Sequence, residues 1–183
     1  MKKSRWQFVK QLVSGARGDA PSDLSVRRFT GFGLVPVTAV EAKDAKDSEF
    51  QHLRYACDAT AIQVRIRHRD VSLSDVKLST ASGVDNTGNV CVWETELVMT
   101  HWALQQRALF TGRRVLELGG GQCGLAGLAV AACCGAAAVH ITDGNPAAAE
   151  SLAFNVQLLL THLKQSQSQQ QQSTLPVVTA AEL

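Results

Sequence analysis

Residues 113–127 read Arg-Arg-Val-Leu-Glu-Leu-Gly-Gly-Gly-Gln-Cys-Gly-Leu-Ala-Gly. The run Val115-Leu116-Glu117-Leu118 has the near-continuous apolar character of a buried parallel strand. It breaks into Gly119-Gly120-Gly121 and, past Gly124, into a helix of small residues over 125–134. The spacing Gly119-x-Gly121-x-x-Gly124 is a nucleotide-type turn between strand and helix. Glycine suits such a turn because it permits unusual φ/ψ, lets a ligand approach the backbone, and lets the helix pack close to the strand. The pattern gains weight from its context, a strand before it, a helix after it and an acidic residue downstream.

That downstream acid is Asp143. Residues 136–142, Ala-Ala-Ala-Val-His-Ile-Thr, form a second apolar strand that ends at Asp143-Gly144-Asn145-Pro146. Asn145 is placed to cap the next helix and Pro146 to occupy its first position. The helix then runs through Leu152, Phe154, Val156 and Leu159 to about Leu163. Strand, helix, strand and helix in this order predict a βαβα unit with a right-handed crossover. The tract over 165–173, Gln-Ser-Gln-Ser-Gln-Gln-Gln-Gln-Ser, has nothing to bury and is expected to be a disordered loop. Pro176-Val177-Val178-Thr179 opens a third strand. Two strands and the start of a third leave sheet edges and apolar faces open, so the expectation is the first half of a larger α/β domain.

Upstream, residues 2–14 carry Trp6, Phe8, Val9, Leu12 and Val13 at roughly helical spacing, with Lys2, Lys3, Arg5 and Lys10 as a solvated face. Residues 24–40 predict two short strands joined by a turn. Residues 61–67, Ala-Ile-Gln-Val-Arg-Ile-Arg, alternate strictly, as a half-buried antiparallel strand does, with Gln63, Arg65 and Arg67 as a solvated outer row. Residues 1–84 therefore form an α+β extension ahead of the glycine domain at 85–183. In the stripe Leu97, Val98, His101, Trp102, Leu104 and Leu109 of the following helix, His101 reads as a packing histidine rather than a base. Trp93, between a turn and that helix, reads unaided as a core or lid residue.

Composition excludes several classes. With 183 residues, 45% hydrophobic content and a net charge of +2, the chain can bury a core and has no strong pull toward nucleic acid. The five cysteines, at 57, 91, 123, 133 and 134, have neither metal-ligand nor disulfide spacing, and no apolar leader follows Met1. Reduced thiols in the cytoplasm or nucleus are the expectation, without a metal. The longest apolar stretch, residues 125–139, is too short to span a bilayer.

Two ligand classes use a turn of this kind. A dinucleotide rests its pyrophosphate on the helix N-terminus. S-adenosylmethionine instead needs an acid on the first strand, glycine backbone under its amino-acid moiety and a second acid for both ribose hydroxyls. Glu117 is an acid inside an apolar strand, where burial is costly unless a polar or cationic group meets it. Asp143 lies 24 residues after Gly119, near the ~20-residue separation of a ribose-binding acid. A Walker-type phosphate loop is excluded, because no Gly-Lys-Ser/Thr follows.

Val115-Leu116-Glu117-Leu118-Gly119-Gly120-Gly121 followed by Thr142-Asp143-Gly144-Asn145 resembles the seven-strand class I methyltransferases, in their protein-lysine branch. Residues 85–93, Asp-Asn-Thr-Gly-Asn-Val-Cys-Val-Trp, resemble the Thr-Gly…Trp segment that precedes the first motif there. With Ser25-Val26-Arg27-Arg28-Phe29, the match is nearest to the calmodulin-lysine methyltransferases. The resemblance implies a Rossmann-like sheet, S-adenosylmethionine as cofactor, and contacts to it from Glu117, Gly119, Gly120, Gly121 and Asp143. It also implies that Trp93 packs near the cofactor. The implied reaction is methyl transfer to a deprotonated lysine, giving trimethyl-lysine on calmodulin, with neither nucleic acid nor membrane as partner. The acidic motif that the family carries after its fourth strand has no counterpart in the sequence, so no catalytic residue is assigned.

Overall fold

A computed structural model describes residues 33–41, 50–58, 60–67, 92–167 and 176–182. The predicted strand at the glycine turn is β4, Arg114–Leu118, and it enters a parallel sheet with β5, Ala138–Asp143, and β6, Val177–Glu182, in the order β4-β5-β6. The intervening helices are α2, Leu125–Cys133, and α3, Pro146–Gln167. The Asn145 cap forms as expected, with Ala147 N–H donating to Asn145 Oδ1 at 2.9 Å. The expected third strand is paired with β5 along all six residues.

An antiparallel sheet precedes these elements: β1, Val37–Val40, β2, Phe50–Cys57, and β3, Thr60–Arg67, in the order β1-β2-β3. β2 and β3 form a hairpin in which Cys57 pairs with Thr60. Its first turn residue, Asp58, has φ of 53°, a conformation that aspartate tolerates better than most residues. Alternation on β3 holds as predicted, with Ile62, Val64 and Ile66 buried. α2 and α3 each contact β3 on one side and β5 on the other, and the largest fully buried side chains include Ile62, Leu125, Leu128, Ile141, Leu152 and Leu159. Sheet, helices and sheet thus share one apolar core within the unit Gly31–Leu183.

Three expectations need correction. The row Gln63, Arg65 and Arg67 is half-buried rather than solvated. Arg65 places its guanidinium 4.1 Å from the Phe50 ring centroid and 3.5 Å from that of Phe154, while Arg67 lies 5.5 Å from Phe50. A guanidinium is weakly hydrated and planar, so it stacks between rings more readily than an ammonium does. On α1, Glu94–Gln105, the inward positions are Thr100, Ala103 and Leu104, while Val98 and Trp102 are exposed. Small inward side chains bring α1 against α2, where Cys134 Sγ–H reaches the Ala103 carbonyl at 3.6 Å. The Gln/Ser tract does not begin as a loop either, because α3 continues through Gln167. Glutamine is a good helix former, and Ser166 Oγ donates to the His162 carbonyl at 3.0 Å.

His101 Nδ1 lies 3.3 Å from the Leu34 carbonyl, a packing role as read from the sequence. The readings made for residues 2–14, 24–32, 85–91 and 168–173, and the boundary at 84/85, lie outside the described residues. Among the described residues, no helix is long and apolar enough to cross a membrane.

Candidate functional site

A cavity of about 680 Å³ opens at the C-terminal end of β4 and β5, where ligands enter open α/β sheets. Trp93, Glu117, Gly119, Gly120, Gly121 and Asp143 all line it, so the chain gathers the six residues to which the resemblance gives a cofactor contact. Glu96, Met99, Trp102 and Asn145 line it too. Trp93 stands at the N-cap of α1 with extended backbone and 45% of its surface exposed.

The turn is built by two kinds of glycine. Gly119 has φ of 73° and open space where a Cβ would stand, so the backbone is bare toward the cavity. Gly120 is different, since a Cβ there would come within 2.7 Å of Ile141 Cγ2. The first kind serves ligand approach and the second serves helix–strand packing. Gly120 N–H donates to the Thr142 carbonyl at 2.9 Å, and Thr142 Oγ1 donates to the Glu117 carbonyl at 2.8 Å. The ends of β4 and β5 are thereby locked together.

Asp143 closes the turn. Its Oδ2 accepts from Gly121 N–H at 2.9 Å and its Oδ1 from Asn145 N–H at 2.8 Å. Each oxygen keeps lone-pair capacity, because a carboxylate offers about four acceptor sites. Glu117 was expected to meet a ligand group, yet its partner in the chain is a backbone amide, with Gly127 N–H donating to Oε2 at 2.8 Å. Burial pushes its carboxyl above the ordinary range, and the Gly127 bond pulls it part of the way back.

Glu96 was not read from the sequence. The available signal was its position three residues after Trp93, one turn along the same helix face. Its Oε1 accepts from Leu125 N–H at 2.5 Å. Burial, opposed by the Leu125 bond and reinforced by neighbouring Glu117, raises its carboxyl to about 8, with a Cys123 thiol bond pulling the other way. Burial also lifts the Cys123 thiol well above its usual range.

This arrangement discriminates between the two ligand classes. Two of the first three α2 amides, Leu125 and Gly127, are occupied by the carboxyl groups of Glu96 and Glu117. A pyrophosphate laid on that helix end would have to displace two buried side chains from the amides it needs. A group that does not depend on those amides is the better match.

Fold and site together define a partial Rossmann-like methyltransferase unit: a parallel β4-β5-β6 sheet, a glycine turn and acids on two adjacent strand ends. The sequence matches the family model described as lysine methyltransferase over residues 72–174, and the chain belongs to that family. It is 31% identical over 200 residues to calmodulin-lysine N-methyltransferase of Arabidopsis thaliana, covering 97% of this chain and 65% of that protein. It is 39% identical over 88 residues to protein-lysine N-methyltransferase EEF2KMT of Homo sapiens, covering 48% of this chain and 26% of that protein. The corresponding Mus musculus protein is 38% identical over 88 residues, covering 48% and 25%. The chain therefore spans about two thirds or less of the length of these relatives.

Proposed function

We propose that the chain carries the S-adenosylmethionine-binding part of a protein-lysine N-methyltransferase that acts on calmodulin. The observation behind this reading is the placement of Glu117, the bare Gly119 backbone and Asp143 around one cavity, with the amides of the helix end already taken by Glu96 and Glu117. The calmodulin assignment rests on the likeness to the Arabidopsis thaliana protein along nearly the whole chain.

S-adenosylmethionine, when bound, supplies a methyl group on a positively charged sulfonium. The remaining chemistry is binding and orientation by this chain. Asp143 is held by two backbone amides with acceptor capacity left for both ribose hydroxyls. The Gly119–Gly121 backbone admits the amino-acid end closely, and Glu117 supplies negative charge there. Trp93 lines the same cavity, where it packs near the cofactor. Methyl transfer to a lysine amine depends on alignment and desolvation more than on a covalent intermediate. Isothermal titration tests the binding step, and a radiolabelled methyl-transfer assay on calmodulin tests the substrate. Transfer to a control protein but not to calmodulin would defeat the substrate assignment.

One observation favours a second reading, a binding module without turnover. Leu116, Leu118 and Val177 are 58%, 66% and 62% exposed on the sheet face that α2 and α3 do not cover, an apolar surface suited to protein contact. Turnover above background by residues 1–183 would rule this reading out.

A further inference from the structure

β3 has β2 on one side only, and the backbone groups of its other edge must find partners elsewhere. They find side-chain amides. Asn155, on α3 and fully buried, accepts from Arg65 N–H through Oδ1 at 2.7 Å and donates from Nδ2 to the Arg65 carbonyl at 3.1 Å. One amide thus pairs both backbone groups of Arg65, as a neighbouring strand would. The same Nδ2 donates to the Gln122 carbonyl at 3.0 Å, with the Cys123 carbonyl at 3.4 Å. Gln122, itself 2% exposed, accepts from Arg67 N–H through Oε1 at 2.7 Å. The orientation of the Asn155 amide is fixed by its surroundings. A flip would set NH₂ against an N–H and oxygen against carbonyls.

Gln122 and Cys123 lie between Gly121, which bonds Asp143, and Leu125, which bonds Glu96. Among the described residues, none that lines the cavity comes from β1, β2 or β3. We propose that Asn155, assisted by Gln122, is a positioning residue for the glycine turn, through which the antiparallel sheet sets the shape of a ligand site it does not touch. Its consequence for affinity rests on the S-adenosylmethionine reading, whereas its consequence for the turn does not.

The test uses the full chain with Asn155→Asp, the milder Gln122→Met, and Leu159→Ala as a control that opens the α3 core away from the turn. Asn155→Asp keeps size and shape but turns a donor that serves carbonyls into an acceptor. Titration with S-adenosylmethionine is made where each variant is folded, and amide hydrogen exchange is followed across residues 119–125. Expected are about tenfold weaker binding for Asn155→Asp, about threefold for Gln122→Met, and under about twofold for Leu159→Ala. Exchange in the turn should accelerate at least tenfold in Asn155→Asp and stay unchanged in the control. Weakening that merely follows lost stability, Leu159→Ala included, would overturn the proposal, as would unchanged affinity and exchange in both amide variants. If the unmodified chain binds no S-adenosylmethionine, the cofactor reading fails. Turn exchange alone then decides, acceleration in Asn155→Asp supporting the positioning role and its absence refuting it.

Discussion

The two sheets serve the site in opposite ways. β4 and β5 place chemistry at their ends, where Glu117 and Asp143 line the cavity and glycines bare the backbone between them. β1–β3 place nothing there, yet the edge of β3 is joined through Asn155 and Gln122 to the same turn. The parallel sheet acts by its side chains, and the antiparallel sheet acts by its backbone. The lesson is that a ligand site can depend on an element that never reaches the ligand.

The parallel sheet is the more sensitive of the two to substitution. A Cβ at Gly127 would approach Ile141 Cδ1 at 2.8 Å and press on the Glu117 carboxylate. Gly127→Ala should therefore cost about 2–3 kcal/mol, as overpacking does, and lower Tm by about 5–10 °C in calorimetry. An unchanged Tm would show that α2 is not clamped to β4 and β5.

The antiparallel sheet should respond less. Arg65→Ala removes the guanidinium between Phe50 and Phe154 but leaves the Arg65 backbone bonds to Asn155 in place. A loss of about 1–2 kcal/mol in urea unfolding is expected, with ligand affinity changed less than about twofold. A larger loss of affinity would mean that side chains of this sheet, not its backbone, communicate with the turn.

A smaller effect comes from pH. Folded Glu96 keeps its proton to about 8, whereas an ordinary carboxyl at 4.5 has already lost it. The folded state therefore binds the extra proton between these values, and stability is greatest below pH 4.5 on this account and falls as pH rises through 8. Between pH 7 and pH 8 this contribution should fall by about 1 kcal/mol and lower Tm by about 2–4 °C, and Glu96→Gln should remove that slope. A slope unaltered in Glu96→Gln would assign the effect to another group.

The weakest link is the exposed ion pair of Asp58 with Arg107, which ties the hairpin tip to the segment after α1. Asp58→Asn keeps a residue tolerant of positive φ and removes only charge. The expected change is below about 0.5 kcal/mol, within the scatter of a thermal melt. A change of several degrees would show that the hairpin tip holds the sheet in place.

The two sheets also differ in how plainly the sequence encodes them. The order β4-α2-β5-α3-β6 was legible because its strands are unbroken apolar runs and glycine, Asn145 and Pro146 mark the joints. The expectation that β4 is a buried strand needs correction, since Leu116 and Leu118 are exposed on the sheet face that the helices leave uncovered. β2 was not, since Phe-Gln-His-Leu-Arg-Tyr-Ala-Cys buries His52, Tyr55 and Cys57 without even alternation. On α1, the apolar stripe was legible in part, since Leu97 and Leu104 pack inward whereas Val98, Trp102 and Leu109 are exposed and Trp102 lines the cavity. At the site, Trp93, Glu117, the glycines and Asp143 stood out by motif, whereas Glu96 offered only its spacing from Trp93 and Asn155 carries no local pattern. Their roles come from long-range bonds, spanning 29 residues from Glu96 to Leu125 and 90 from Asn155 to Arg65.

Isothermal titration of residues 1–183 with S-adenosylmethionine, repeated with Asp143→Ala and with NADH, tests the central claim most directly. One molecule should bind per chain, Asp143→Ala should weaken binding by about a hundredfold or more, and NADH should give no heat. Binding of NADH in preference, or equal S-adenosylmethionine affinity with and without the Asp143 carboxylate, would contradict the account.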